Sequence, residues 1–156
     1  VTGGDDLNTE MLSDGETMRT WYRFIRLHSR VRSAFAVRLR ELAITVPQCD
    51  MLTTLSQAEG LSQQELAARL YVTKGNISVL IDKLAANGYV ERLPSQLNRR
   101  TWAINLTDQG REMAKLAILV QKQFVSEIFG PLSHISIGVL NLIMIELRSN
   151  VLNLEK

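Results

Sequence analysis

Between Thr17 and Leu42 the chain has no Pro or Gly, and its apolar residues recur every three or four positions. Trp21, Phe24/Ile25, Leu27/His28, Val31, Ala34/Phe35 and Leu39/Leu42 form one broad stripe, with Arg19, Arg23, Arg26, Arg30 and Arg40 mostly outside it. That period predicts an amphipathic helix, roughly 40 Å long at 1.5 Å per residue. It is longer than a small helical core needs, so part of it is expected to pack elsewhere, on a second subunit for example. Pro47–Ser56 reads as a short helix with Thr45 or Val46 near its cap and Pro in the first turn. Met51, Leu52 and Leu55 supply its buried side.

Two further amphipathic helices follow across a tight turn, Ser62–Leu70 and Thr73–Asn87. Ser62 stands at the cap of the first and Glu65 at the capping-box position, with Leu66, Ala67 and Leu70 inward. Ile77, Leu80, Ile81 and Leu84 stripe the second, and Gly88 is placed to end it in a left-handed conformation. Two extended runs, Tyr89–Leu93 and Thr101–Leu106, then flank the polar tip Pro94-Ser95-Gln96-Leu97-Asn98-Arg99-Arg100. Thr107-Asp108-Gln109-Gly110 opens a long helix to about Phe129, Gly130-Pro131 interrupts, and Leu132–Leu154 reads as a terminal helix weakened by Gly138. Met113, Leu116/Ala117, Val120 and Phe124 continue the apolar side of the long helix, and Ile135, Val139, Leu142/Ile143 and Glu146/Leu147 recur along the terminal one. The terminal segment is too apolar for a free tail; it packs within the chain or joins the first helix in a dimer interface.

A helix that fits the major groove with a basic hairpin beside it is a winged helix-turn-helix. The predicted fold is therefore mainly α, a winged helix-turn-helix between long N- and C-terminal dimerisation helices. The expected divisions are a flexible acidic tail over 1–16, an N-terminal dimerisation helix over 17–45, the winged domain over 46–110 and C-terminal dimerisation helices over 111–156.

On the second helix of the motif, small residues permit close approach to base edges. Asn76 can pair with adenine, Ser78 can bond flexibly, and Val79 can touch a thymine methyl. Thr73 and Lys74 suit phosphate, and Ser62, Gln63, Gly75, Asp82 and Lys83 lie on the outward surfaces of the two helices. In the hairpin, Asn98, Arg99 and Arg100 form the tip, where an Arg can enter the minor groove or touch its phosphates. An ordinary surface hairpin would also point Arg outward; the position directly after a helix-turn-helix favours contact. Trp102 reads as a partly buried anchor for the wing.

Charge supports this picture through its distribution. The chain has 18 basic and 16 acidic residues, but Asp5, Asp6, Glu10, Asp14 and Glu16 precede Thr17 with no Lys or Arg among them. The remainder is distinctly basic, which favours a polyanion partner. The seven Arg of the first helix can touch phosphate or line a solvated face. A lone Cys49 excludes an intramolecular disulfide. Its place in a short apolar helix suggests a structural thiol, and Asp50 beside it disfavours a thiolate. His28 and His134 are the only imidazoles, and no compact ligand cluster accompanies them, so no metal and no cofactor is expected. His28 reads as a hydrogen-bonded interface residue. No apolar run is expected to span a bilayer, and the start of the chain lacks signal-peptide character, making the cytoplasm the default. No Ser/His/Asp order or glycine-rich phosphate loop suggests an enzyme.

Together the motifs resemble the MarR family of transcriptional regulators, from roughly Thr17 to the C-terminus. The matching pieces are Leu61-Ser62-Gln63-Gln64-Glu65-Leu66-Ala67, Thr73-Lys74-Gly75-Asn76-Ile77-Ser78, Ile81-Asp82-Lys83-Leu84-Ala85-Ala86-Asn87-Gly88-Tyr89-Val90, and Asn98-Arg99-Arg100 followed by Leu106-Thr107-Asp108-Gln109-Gly110. The resemblance implies an obligate homodimer whose two wings read a pseudo-palindromic operator in double-stranded DNA. It also implies a repressor released by a small phenolic or amphipathic effector in a cleft between dimerisation helices and winged domain. Trp21, Phe24, His28, Arg38, Met51 and Ile118 are the candidate lining. Family wings commonly carry an Asp before the paired Arg; here Leu97-Asn98 stands there, so Arg100 is expected to be held less rigidly. The alternative is a protein-interaction dimer whose winged domain has lost DNA binding.

Overall fold

A computed structural model of the chain describes residues 14–95 and 101–154. The first helix, α1 (Asp14–Leu39), begins three residues before the expected Thr17. Asp14 and Glu16 lie in its first turn and Arg38 in its last, each charge complementing the helix dipole. Residues 14–16 thus belong to the helix and not to a tail; the rest of the expected tail lies outside the described residues. Only Phe35 and Leu39 of α1 are buried, so the stripe predicted to face inward is covered only in its last third. Trp21, Phe24, Ile25 and Leu27 stay open to solvent. A short 3₁₀ turn, Arg40–Leu42, leads through the left-handed Ala43 into α2.

Helix α2 (Val46–Gln57) starts with a full capping box. The Thr45 hydroxyl accepts from the Gln48 amide at 3.4 Å, while the Gln48 side chain accepts the Thr45 N–H at 2.8 Å. Val46, Cys49, Met51, Leu52 and Leu55 are all buried, making α2 the centre of the core. Strand β1 (Leu61–Ser62) follows, a two-residue element absent from the sequence expectation. Ser62 then caps α3 (Gln63–Leu70), its hydroxyl accepting the Glu65 N–H at 3.2 Å and the Glu65 carboxylate accepting the Ser62 N–H at 2.7 Å. Tyr71, left-handed at φ 53°, turns the chain, and Thr73 caps α4 (Lys74–Ala86).

Strands β2 (Val90–Pro94) and β3 (Trp102–Leu106) pair antiparallel from Val90↔Leu106 out to Pro94↔Trp102, and β1 pairs on the far side of β3. The sheet is seated on α5 (Asp108–Phe129) by one close approach. Thr107 donates its hydroxyl to the Gly88 carbonyl at 2.6 Å and its N–H to the Tyr89 carbonyl at 3.1 Å. Gly110 then passes so near that a Cβ there would lie 1.8 Å from the Tyr89 carbonyl oxygen. Further along, α5 packs on α2 and α1, with the Phe35 and Phe124 rings stacked 5.0 Å apart.

The last helix, α6 (His134–Leu154), buries nothing within the chain. Its 21 residues, of mean hydropathy 1.5 over the most apolar window, meet the length and composition of a membrane span, contrary to the sequence expectation. Trp102, expected to be partly buried, is 59% exposed, because the core beneath the hairpin ends at Ile104.

Gly110→Ala tests the seat of the wing. Backbone cannot yield as a flexible side chain does, so a loss of about 3 kcal/mol is expected, read as a lower urea midpoint with unchanged slope. A midpoint equal to wild type would show that the Tyr89 carbonyl moves aside freely.

Candidate nucleic-acid interface

The buried stripe Ile77, Ile81 and Leu84 fixes how α4 is rolled on the core. Its opposite edge is thereby turned to solvent: Lys74, Gly75, Asn76, Val79 and Lys83 are exposed and Ser78 is partly so. Nearby, Thr73 is exposed and Gln63 partly covered. These sequence-predicted residues therefore share one accessible surface along α4 and the start of α3. Two of them carry structural duties as well. Thr73 accepts the Asn76 N–H at 3.3 Å, and the Ser62 hydroxyl donates to the Glu65 carboxylate at 2.7 Å while accepting its amide. The Ser62 hydroxyl is turned toward its own helix, and the Ser62 backbone N–H first, with the hydroxyl second, donates to the Glu65 carboxylate and holds it below its ordinary range. Asn98, Arg99 and Arg100 lie outside the described residues.

Sequence reasoning placed Asp82 on the outward face and missed its partner. Arg92 of β2 reaches back to it, Nη2 to Oδ1 at 2.5 Å, tying the hairpin to α4. The signal was available: the turn at Asn87-Gly88 folds β2 back beside α4, so an acid shortly before the turn and a base shortly after it meet. An exposed pair of this kind contributes at most about 1 kcal/mol to stability. What it adds is a direct link between the first strand of the hairpin and α4.

The six residues predicted to line one ligand cleft are not brought together within the chain. Trp21, Phe24 and His28 sit on the exposed part of α1, with the Trp21 and Phe24 ring centroids 6.4 Å apart. His28, expected at a hydrogen-bonded interface, is exposed in the single chain. Met51 is fully buried in α2, Ile118 is half-buried on α5, and Arg38 is paired with Glu127. Helical periodicity identified apolar faces here but not which faces meet. Among the described residues, cavities lie elsewhere. One of about 180 Å³ between α1 and α5 includes Arg38, and one of about 440 Å³ lies where α1 meets the start of α2.

Cys49 is completely buried, and burial, with the Asp50 charge second, raises its pKa to about 11. Asp50 is itself pushed up by burial, an effect opposed by Arg32. Among the described residues no group of three or more His, Cys, Asp or Glu is placed to hold a metal ion.

This arrangement defines a winged helix-turn-helix with an open recognition helix. A family model described as MarR family matches residues 44–102. The chain is 34% identical over 112 residues to the HTH-type transcriptional regulator PrsX of Escherichia coli, covering 70% of this chain and 68% of that protein. Its fold is similar to that of AbsC, a MarR family transcriptional regulator from Streptomyces coelicolor, with TM-score 0.83, 20% identity and coverage of 93% and 99%. It is also similar to Streptococcus pneumoniae FabT in complex with DNA, with TM-score 0.75, 23% identity and coverage of 88% and 99%. The chain belongs to the MarR family of DNA-binding transcriptional regulators, which are not enzymes.

Asp82→Ala is expected to leave thermal stability within about 1 kcal/mol of wild type while weakening duplex binding several-fold. The exchanged pair Asp82→Arg with Arg92→Asp should recover most of that loss in a gel-shift titration. Equal binding by all three proteins would mean that the ion pair does not set the wing angle.

Proposed function

We propose that the protein is a homodimeric repressor that reads a pseudo-palindromic operator and is released by a small amphipathic anion. The observation that carries this reading is the pairing of an open polar edge on α4 with an apolar helix that its own chain leaves uncovered. Ile135, Leu142, Ile143 and Ile145 of α6 are all more than 45% exposed, as are Trp21 and Leu27 of α1. Burying one such side chain contributes about 1.5–3 kcal/mol, so a second copy covering α1 and α6 gains much by association. Two copies related by a twofold axis present two α4 helices, and duplex half-sites recur about every 34–36 Å. On this reading Asn76, Ser78 and Val79 touch base edges, with Gly75 allowing close approach. Thr73, Lys74, Lys83, Ser62 and Gln63 lie along the backbone, and Asn98, Arg99 and Arg100 reach the minor groove. Repression follows from occupying the promoter, and the protein works in the cytoplasm. The winged domain corresponds to 46–110, with 17–45 and 111–156 as dimerisation segments.

For the effector, the cavity of about 440 Å³ is the better candidate, because small-molecule sites usually occupy about 300–1,000 Å³. Arg32 and Arg40 offer positive charge beside Ala36, Ile44, Val46 and Pro47, a lining suited to an aromatic carboxylate. It lies between the dimerisation helix and the winged domain. A ligand there acts on the hinge between them and changes half-site spacing, provided it binds the two spacings unequally.

A chain ending at Gly130 should run as a monomer in light scattering and lose repression of a reporter carrying its own upstream region. A truncated chain that stays dimeric and still represses would remove α6 from the interface. Aromatic carboxylates screened against the wild-type protein–duplex complex should yield members that weaken it, and Arg40→Ala should blunt that response while binding the duplex normally. A screen with no active member, or an unaltered response in the variant, would count against this cavity.

A further inference from the structure

Trp102 has no role in the reading so far, and its surroundings are unusual for an indole. It begins β3 at the outer end of the hairpin, 59% exposed, directly opposite Pro94. Antiparallel register puts Trp102, Ile104 and Leu106 on one face with Val90, Arg92 and Pro94. That face is turned toward α4: Val90, Ile104 and Leu106 are in the core, and Arg92 bridges to Asp82. Trp102 stands two residues farther out than Ile104, the partner of Arg92, or about 7 Å along the strand. It therefore occupies the outer part of the saddle between recognition helix and wing.

A duplex with α4 in its major groove and the wing tip in the adjacent minor groove must pass one phosphodiester strand across that saddle. We propose that Trp102 is a backbone contact there, its indole N–H donating to a phosphate oxygen and its ring lying on the adjoining sugar. Indole is a donor only, so it matches a phosphate and nothing acceptor-poor. Phosphate contacts of this kind position a protein without reading sequence. The contact also compensates for the wing's lack of an acid before its paired arginines, by holding the hairpin to the strand from its inner face. This rests on the orientation of α4 proposed above.

The test uses the full chain and a fluorescein-labelled 40-base-pair duplex selected by the wild-type protein from a random pool. Trp102→Phe keeps a ring and removes the N–H. It should bind that duplex about tenfold more weakly, as expected for a lost hydrogen bond to a charged group. The loss should be equal at every salt concentration, because no charge is removed and counterion release is unaltered. Arg99→Ala is the contrasting control, expected to flatten the salt dependence. Trp102 and Trp21 are the only two tryptophans, so their indole N–H signals are assigned by the one that vanishes in Trp102→Phe. Saturating duplex should shift the Trp102 signal and slow its exchange with solvent. Either an unmoved Trp102 signal at saturation or wild-type affinity in Trp102→Phe overturns the contact while leaving DNA binding in place. Failure of the wild-type protein to select any duplex would instead sink the DNA-binding reading, and this contact with it.

Discussion

The structure depends on the grip around α2. This helix touches α1, α3, α4, α5 and β3, and Cys49, Met51, Leu52 and Leu55 have no exposed surface at all. Removing a large side chain from such a site costs about 2–5 kcal/mol, because the surroundings close the gap only in part. Even the polar groups of α2 serve the packing. Gln48 is buried but spends its side chain on the cap, and the Thr53 hydroxyl donates to the Asp50 carbonyl at 3.1 Å. The same enclosure explains Cys49: burial pushes its thiol up to about 11, so it is protonated at neutral pH and packs as a small apolar filler.

Held from both sides, α2 joins two parts that are also linked where the start of α5 seats the sheet. On one side lie α1 and α5, tied by the Phe35–Phe124 stack and the Arg38–Glu127 pair. On the other lie α3 and α4, whose stripes end on Leu66, Ile77, Ile81 and Leu84. Close-packed interiors transmit displacement instead of absorbing it. A shift of the α1–α5 stem therefore becomes a shift of α4 relative to its counterpart in the proposed dimer.

The order of helices was legible in the sequence because a buried stripe of period 3.6 and a capping residue are local features. Thr45, Ser62, Thr73 and Thr107 each cap the helix that follows. Strand β1 was not legible, since two residues carry no period and pair only through the distant Ile104. The partner of Asp82 was missed and the exposure of Trp102 misjudged for a related reason. Periodicity tells which residues face away from a helix's core, but not that a returning strand will bring Arg92 to one, or that the core will stop short of the other. The six residues expected to line a ligand site meet the same limit, with apolar faces visible in the sequence and their convergence not.

The uncovered α6 is where local rules and the whole molecule part company. By composition it would enter a bilayer, yet Asn141, Glu146 and Arg148 lie along it, and a charged group at mid-membrane costs about 2.5–3.5 kcal/mol even on insertion scales. In the proposed dimer a second copy would accommodate those groups at the rim while covering the isoleucines and leucines between them. Arg148 already shows such a placement, its guanidinium 5.8 Å from the centre of the Tyr71 ring. Tyr71 is the left-handed residue that turns α3 into α4. The distal part of α6 thus reaches the corner that aims the recognition helix. In the proposed dimer, the packing that fixes α6 also bears on that corner, so assembly and the aim of α4 are not separate properties of this chain.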